Sequence, residues 1–143
     1  MVDVSAKADT VRTATAAGRV VMRAETAAMI QGHQTSKGDV LGVARIAAIQ
    51  AVKQTPSIIP LCHAIPIDAV DVRLQFADDV TLNCEVDVRS IGRTGVEMEA
   101  LCGVAAACLT VYDMCKSVDR GITIESIRLL AKDGGKSGSY AAL

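Results

Sequence analysis

One stretch constrains this chain more than any other: from Ala100 to Tyr112 it carries no charge. Glu97 and Glu99 stand before the stretch, and Asp113 and Lys116 stand after it. The segment contains no proline, and the spacing predicts a helix from about Thr94 to about Val118, stopped by Gly121. The uncharged run is too short to cross a bilayer. It must therefore bury itself against protein, and its small side chains suit the close approach of another helix. Glu99, Gly103, Ala106, Thr110 and Asp113 step by four and three along it and so share one stripe.

The charged ends of this helix are the first candidates for chemistry. Asp113 and Lys116 read either as a surface i,i+3 ion pair or as a proton-transfer pair. Glu97 and Glu99 read either as acids favoured at the positive end of a helix or as site residues. Sixteen residues separate Glu97 from Asp113, roughly 24 Å at 1.5 Å per residue. One small-molecule site in one subunit cannot use both ends. If both serve one site, a second chain supplies one of them, for instance by antiparallel packing about a two-fold axis near Gly103–Ala106.

Composition supports association. Hydrophobic residues make up 50% of the 143, yet there are one Phe, two Tyr and no Trp. The core of this single domain is thus built from Ala, Val, Ile and Leu, and apolar surface is left for burial between subunits. A net charge of −1 gives no general attraction to nucleic acid or to an anionic membrane. The scarcity of aromatics argues against base stacking. The opening residues MVDVSAKADTVR lack the apolar core of a secretory signal, and a cytoplasmic location is expected. The five cysteines form no CxxC pair and read as reduced thiols. Cys62 and His63 adjoin, but no second pair completes a metal set, so no metal site is expected.

Elsewhere, Thr10–Arg23 alternates and is rich in Val and Thr, which predicts a strand. AETAAMIQGH predicts a short helix, and Asp39–Gln54 a longer one, with Asp39 as N-cap and Pro56 as stop. Pro60 and Pro66 keep PLCHAIPID irregular. AVDVRLQF and VTLNCEVDVRS flank ADD as a β-hairpin, and ITIESIRLL is a last strand. A glycine- and lysine-rich tail, flexible without a ligand, begins at about residue 132. The order β-α-α-β-β-α-β predicts an α+β, ferredoxin-like domain over 1–143, with a mostly antiparallel sheet and helices on one face.

Three further groups carry chemical interest. His63 lies in a rigid loop beside a thiol and is a candidate donor or general acid. Lys37 precedes a helix N-terminus, where anions are favoured. GGKSG departs from a phosphate-binding P-loop, because Leu130 stands where its first glycine belongs. Lys132, Lys136 and the free N–H groups of the tail remain suited to wrapping a polyphosphate.

The segments MVDVSAK, KGDVLGVARIAAIQAVK, IPLCHAIPI, GRTGVEMEAL, TVYDMCKSVDRG and RLLAKDGGKSG resemble the MoaC family, the cyclic pyranopterin monophosphate synthases of molybdenum cofactor biosynthesis. The resemblance runs from Met1 to about Gly138. It departs at Ala64, where the family usually has proline, and at Ala48, where it has glycine. It implies a homohexamer, a trimer of dimers with active sites at the dimer interface. It implies as substrate (8S)-3′,8-cyclo-7,8-dihydroguanosine 5′-triphosphate, converted to cyclic pyranopterin monophosphate with loss of pyrophosphate. No cofactor is implied, although Mg²⁺ can accompany the triphosphate. By resemblance the catalytic aspartate is Asp113, with Lys116 its essential neighbour. Substrate contacts fall on Leu61, Cys62, His63, Met98 and Glu99, and further site residues on Arg12, Lys37, Glu97, Lys132 and Lys136. A lysine desolvated at an interface is expected to titrate nearer neutrality, and Arg12, Lys37 and the lysine tail are expected to neutralise the triphosphate. A non-catalytic ligand-binding or oligomerisation domain of the same fold is the alternative reading.

Overall fold

The computed structural model describes all residues from Met1 to Leu143. The strands are β1 (Thr10–Val21), β2 (Ala69–Phe76), β3 (Thr81–Gly92), β4 (Thr123–Asp133) and β5 (Tyr140–Ala141). The helices are α1 (Ala24–Gln31), α2 (Val40–Ile58) and α3 (Glu97–Cys115). The sheet order is β2-β3-β1-β4-β5, and every pairing is antiparallel. Its first four strands form the split β-α-β arrangement of the ferredoxin-like fold. The predicted hairpin is present as β2 and β3, with Ala77 donating to the Thr81 carbonyl across the turn.

Alternation dictates the two faces of the sheet. Ala14, Ala16 and Val20 of β1 and Leu82, Cys84, Val86 and Val88 of β3 are buried beneath the helices. The opposite face is polar: Arg73 of β2 pairs with Asp71, Glu85 and Asp87. Small residues let α2 and α3 pack closely over the core, with Ala44, Ala48, Ala100 and Ala107 fully buried. A Cβ on Gly103 would lie 2.9 Å from Val52 Cγ2 and 3.1 Å from Val86 Cγ1. Gly103 is thus spent on contacts within the chain and does not itself offer a surface to another helix.

Three boundaries differ from the sequence reading. Pro56 lies inside α2 instead of stopping it. Its missing N–H affects only the final turn, where Ile59 still donates to the Thr55 carbonyl. Helix α3 begins at Glu97 and its regular turns end at Cys115. Lys132, read as the start of the tail, is in β4, and Tyr140–Ala141 returns to pair with Ala131 and Lys132.

Helix α3 has the length and mean hydropathy of a membrane span, but half of its apolar window is buried inside the fold. It is the core helix of the domain, packed between α2 and the sheet. All five cysteines are free thiols.

Candidate active site

The N-terminal end of α3 carries Glu97, Met98 and Glu99 against the loop that carries Leu61, Cys62 and His63. Together with Val2, Val4 and Lys7 they line a cavity of about 420 Å³. The two segments, distant in sequence, meet there because α2 delivers the loop beside the start of α3. Glu99 is only 3% exposed. Burial raises its pKa, its own backbone N–H works against the rise, and the charge of Glu97 adds to it. Burial also raises the Cys62 thiol, helped by Glu99 and Cys102. His63 Nε2 donates to the Val2 carbonyl at 2.8 Å, which ties the N-terminal segment across the cavity.

A smaller, wholly polar cavity of about 180 Å³ adjoins, with Lys7, Arg12, Glu97, Lys132 and Ser137 among its walls. Strand β4 places Lys132 opposite Glu97, and Lys132 Nζ bonds Glu97 Oε1 at 2.7 Å and Ser137 Oγ at 3.1 Å. Burial alone would raise the Glu97 pKa. The Lys132 hydrogen bond, its own backbone amide and the charges of Lys132 and Arg12 overcome that effect and hold it low. A third cavity of about 520 Å³ brings Lys136 beside Lys7 and Arg12.

At the other end of α3 the geometry is open. Asp113 Oδ1 accepts from Lys116 Nζ at 2.6 Å, and Oδ2 accepts from Lys37 Nζ at 2.9 Å. Lys37 also donates to the Asp113 carbonyl at 3.0 Å. A cation here meets both the carboxylate and the negative end of the helix. The bond to Lys116, followed by that to Lys37, pulls the Asp113 pKa down to about 2. The same bond raises Lys116. In the single chain Lys116 is exposed and its pKa is raised by this pairing; the lowering expected from the sequence applies to a lysine desolvated at an interface.

The structure sorts the sequence-predicted residues into two groups. Leu61, Cys62, His63, Glu97, Met98, Glu99, Arg12, Lys132 and Lys136 gather around the start of α3. Lys37 joins Asp113 and Lys116 instead of the lysine tail. Sequence reasoning missed Lys7, which borders all three cavities. Its only signal was its place in the MVDVSAK segment, since nothing local pairs with it. No group of three or more His, Cys, Asp and Glu side chains converges in the geometry of a metal site.

A domain with one acid–base cluster and a separate lysine-lined polar recess has the layout of an enzyme acting on a phosphorylated small molecule. The model of the MoaC family matches residues 1–135, and the chain belongs to that family. Among similar proteins, one from Methylobacterium sp. (strain 4-46) is 56% identical over 99% of this chain and 89% of its own length. One from Trichlorobacter lovleyi is 53% identical over 98% and 88%, and one from Desulfitobacterium hafniense is 51% identical over 98% and 86%. Each of the three is named cyclic pyranopterin monophosphate synthase.

Proposed function

We propose that this protein is a lyase converting (8S)-3′,8-cyclo-7,8-dihydroguanosine 5′-triphosphate to cyclic pyranopterin monophosphate, releasing pyrophosphate, in molybdenum cofactor biosynthesis. The observation that carries the reading is the pairing of an acid–base cluster with a lysine-lined recess at opposite ends of one helix. The reaction must open and rebuild a purine-derived ring, which needs proton transfers. In the free chain the ion pair holds Asp113 as carboxylate and Lys116 as ammonium, so the pair must be opened by substrate or by the partner chain before either group exchanges a proton. The reaction must also close a cyclic phosphate at the α-phosphorus as the bond to the departing pyrophosphate breaks. Lys132, Lys136 and Lys7 supply positive charge for the triphosphate, with Lys37 at the other cluster. Any Mg²⁺ arrives with the triphosphate, and the reading requires no resident cofactor.

The active site is shared between chains of a cytoplasmic homohexamer, a trimer of dimers. Two features support this. The clusters at Glu97 and Asp113 sit at the two ends of α3, and a helix without proline does not bend enough to join them. The outer surface of the helices also leaves Val43, Ile46 and Leu109 exposed at 46%, 63% and 60%, apolar surface of the kind subunits cover. The deciding experiment is to incubate the purified chain with the cyclised triphosphate. Pyrophosphate and a pterin are the expected products. A folded protein that yields neither does not have this activity.

A further inference from the structure

Arg12, expected to face the triphosphate, borders two polar cavities, yet its hydrogen bonds all go to backbone carbonyls of the chain itself. It is the third residue of β1 and only 8% exposed. Its Nε donates to the Gly92 carbonyl at 3.3 Å, its Nη2 to the Arg93 carbonyl at 3.3 Å, and its Nη1 to the Gly134 carbonyl at 3.4 Å. The first two acceptors lead from β3 into the start of α3, which carries Glu97. The third opens the loop after β4, between Lys132 and Ser137. One buried cation therefore fastens the two segments that Lys132 bridges through Glu97 and Ser137.

The glycines of the loop fit this arrangement. Gly134 has φ +102° and Gly135 has φ +79°. A Cβ on Gly134 would fall 2.2 Å from the Val11 carbonyl oxygen. A Cβ on Gly135 would fall 1.7 Å from Arg12 Nη1. The guanidinium occupies the volume that a side chain at 135 would need. GGKSG is glycine-rich at this point for two reasons: its backbone enters the left-handed region, and it closes over Arg12.

We infer that Arg12 is a positioning residue: it clamps the glycine loop to the start of α3 and so sets Lys132 and Ser137 for a polyphosphate, without itself gripping the phosphates. A planar fork reaches three carbonyls on two segments, whereas a lysine ammonium offers a single nitrogen. Charge at residue 12 is thus insufficient, and the fork is required. The inference rests on the proposed activity only for its kinetic consequence. The clamp itself is a property of the ligand-free chain.

The test uses Arg12→Lys, Arg12→Gln, Gly135→Ala and the double variant Arg12→Gln/Gly135→Ala in the full-length protein. Amide hydrogen exchange of residues 93–96 and 134–138 is measured without ligand, and KM for the cyclised triphosphate is measured at several salt concentrations. Arg12→Lys keeps the charge. It is expected to speed exchange in both segments by about tenfold or more, and to raise KM about as far as Arg12→Gln does. Gly135→Ala, which removes no charge, is expected to loosen 134–138 as well, and to add less in the Arg12→Gln background because the shortened side chain leaves room. The inference is overturned if Arg12→Lys keeps wild-type exchange and KM. It is equally overturned if exchange is unchanged in every Arg12 variant while the salt dependence of KM falls by one charge in Arg12→Gln alone, which is the signature of a direct phosphate contact. Should Arg12→Gln fail to fold, Arg12→Lys and Gly135→Ala carry the exchange test. A wild-type enzyme without turnover refutes the activity and leaves the exchange result standing.

Discussion

The two ends of α3 tune their carboxyl groups by opposite means. At its start, Glu97 and Glu99 are partly or wholly buried and sit among cavities walled by three other segments. At its end, Asp113 and two lysines form an exposed cluster. Burial at the first end raises Glu99 towards a neutral acid. Ion pairing at the second end holds Asp113 as a carboxylate. Two carboxyls on one helix thus sit in opposed protonation tendencies, set by environment alone.

The sharpest way to break this comparison is at the exposed end. Lys116→Ala is expected to lower turnover by about 10²–10⁴-fold while circular dichroism and melting change little, because the side chain is exposed. Near-normal activity would return Asp113 and Lys116 to a surface ion pair.

The next test joins the two ends. Glu99→Ala and Asp113→Ala chains are each expected to be inactive alone. After subunit exchange, tracked with a mass-tagged subunit, activity should recover to about a quarter of wild type, since about half of the dimers are mixed and each holds one intact site of two. Complete exchange with no activity would mean that the two ends do not meet across an interface.

Truncation after Asp133 removes Lys136, Ser137 and β5 from the pocketed half. It should weaken triphosphate binding by roughly 10–100-fold, the worth of about one hydrogen bond to charge. A nucleoside without phosphates should lose far less. Calorimetry with both ligands makes the comparison, and equal losses would exclude a phosphate role for the tail.

The smallest expected effect lies in stability. Asp119 is 3% exposed and accepts from Arg23 N at 2.9 Å, Thr26 Oγ1 at 3.0 Å and Gly121 N at 3.1 Å. Asp119→Ala should cost about 1–3 kcal/mol in denaturant unfolding by stranding these donors. Burial works to raise the Asp119 pKa, but the bonds from Arg23, Thr26 and Gly121 and the Arg23 charge bring it below 3.8. Its ionic stabilisation is therefore present above the unfolded carboxylate pKa and lost as pH falls through the lower folded value. Asp119→Asn should flatten that acid limb of the stability profile. Catalytic rates at the two ends of α3 should respond only through the fraction folded.

Local pattern determined much of this protein. Alternation through β1, β2 and β3 and the uncharged run of α3 are each legible within a dozen residues, because strand and helix periodicities express which face meets the core. The cap of α1 is not legible there: Arg23 offers no side-chain cap, and the carboxylate that receives its amide belongs to Asp119. Nor does spacing reveal that Glu99 is buried, that Lys37 reaches Asp113, or that Arg12 points at Gly134 instead of at solvent. Each of these depends on which strand lies beside which and in what register: Thr13 opposite Asp133 and Thr10 opposite Gly92 bring the Arg12 clamp together. Composition and periodicity decided the elements and the kinds of charge available. Only the tertiary structure decided which charges lose their water and which meet a partner, because desolvation and pairing act between segments far apart in sequence and decline steeply with distance.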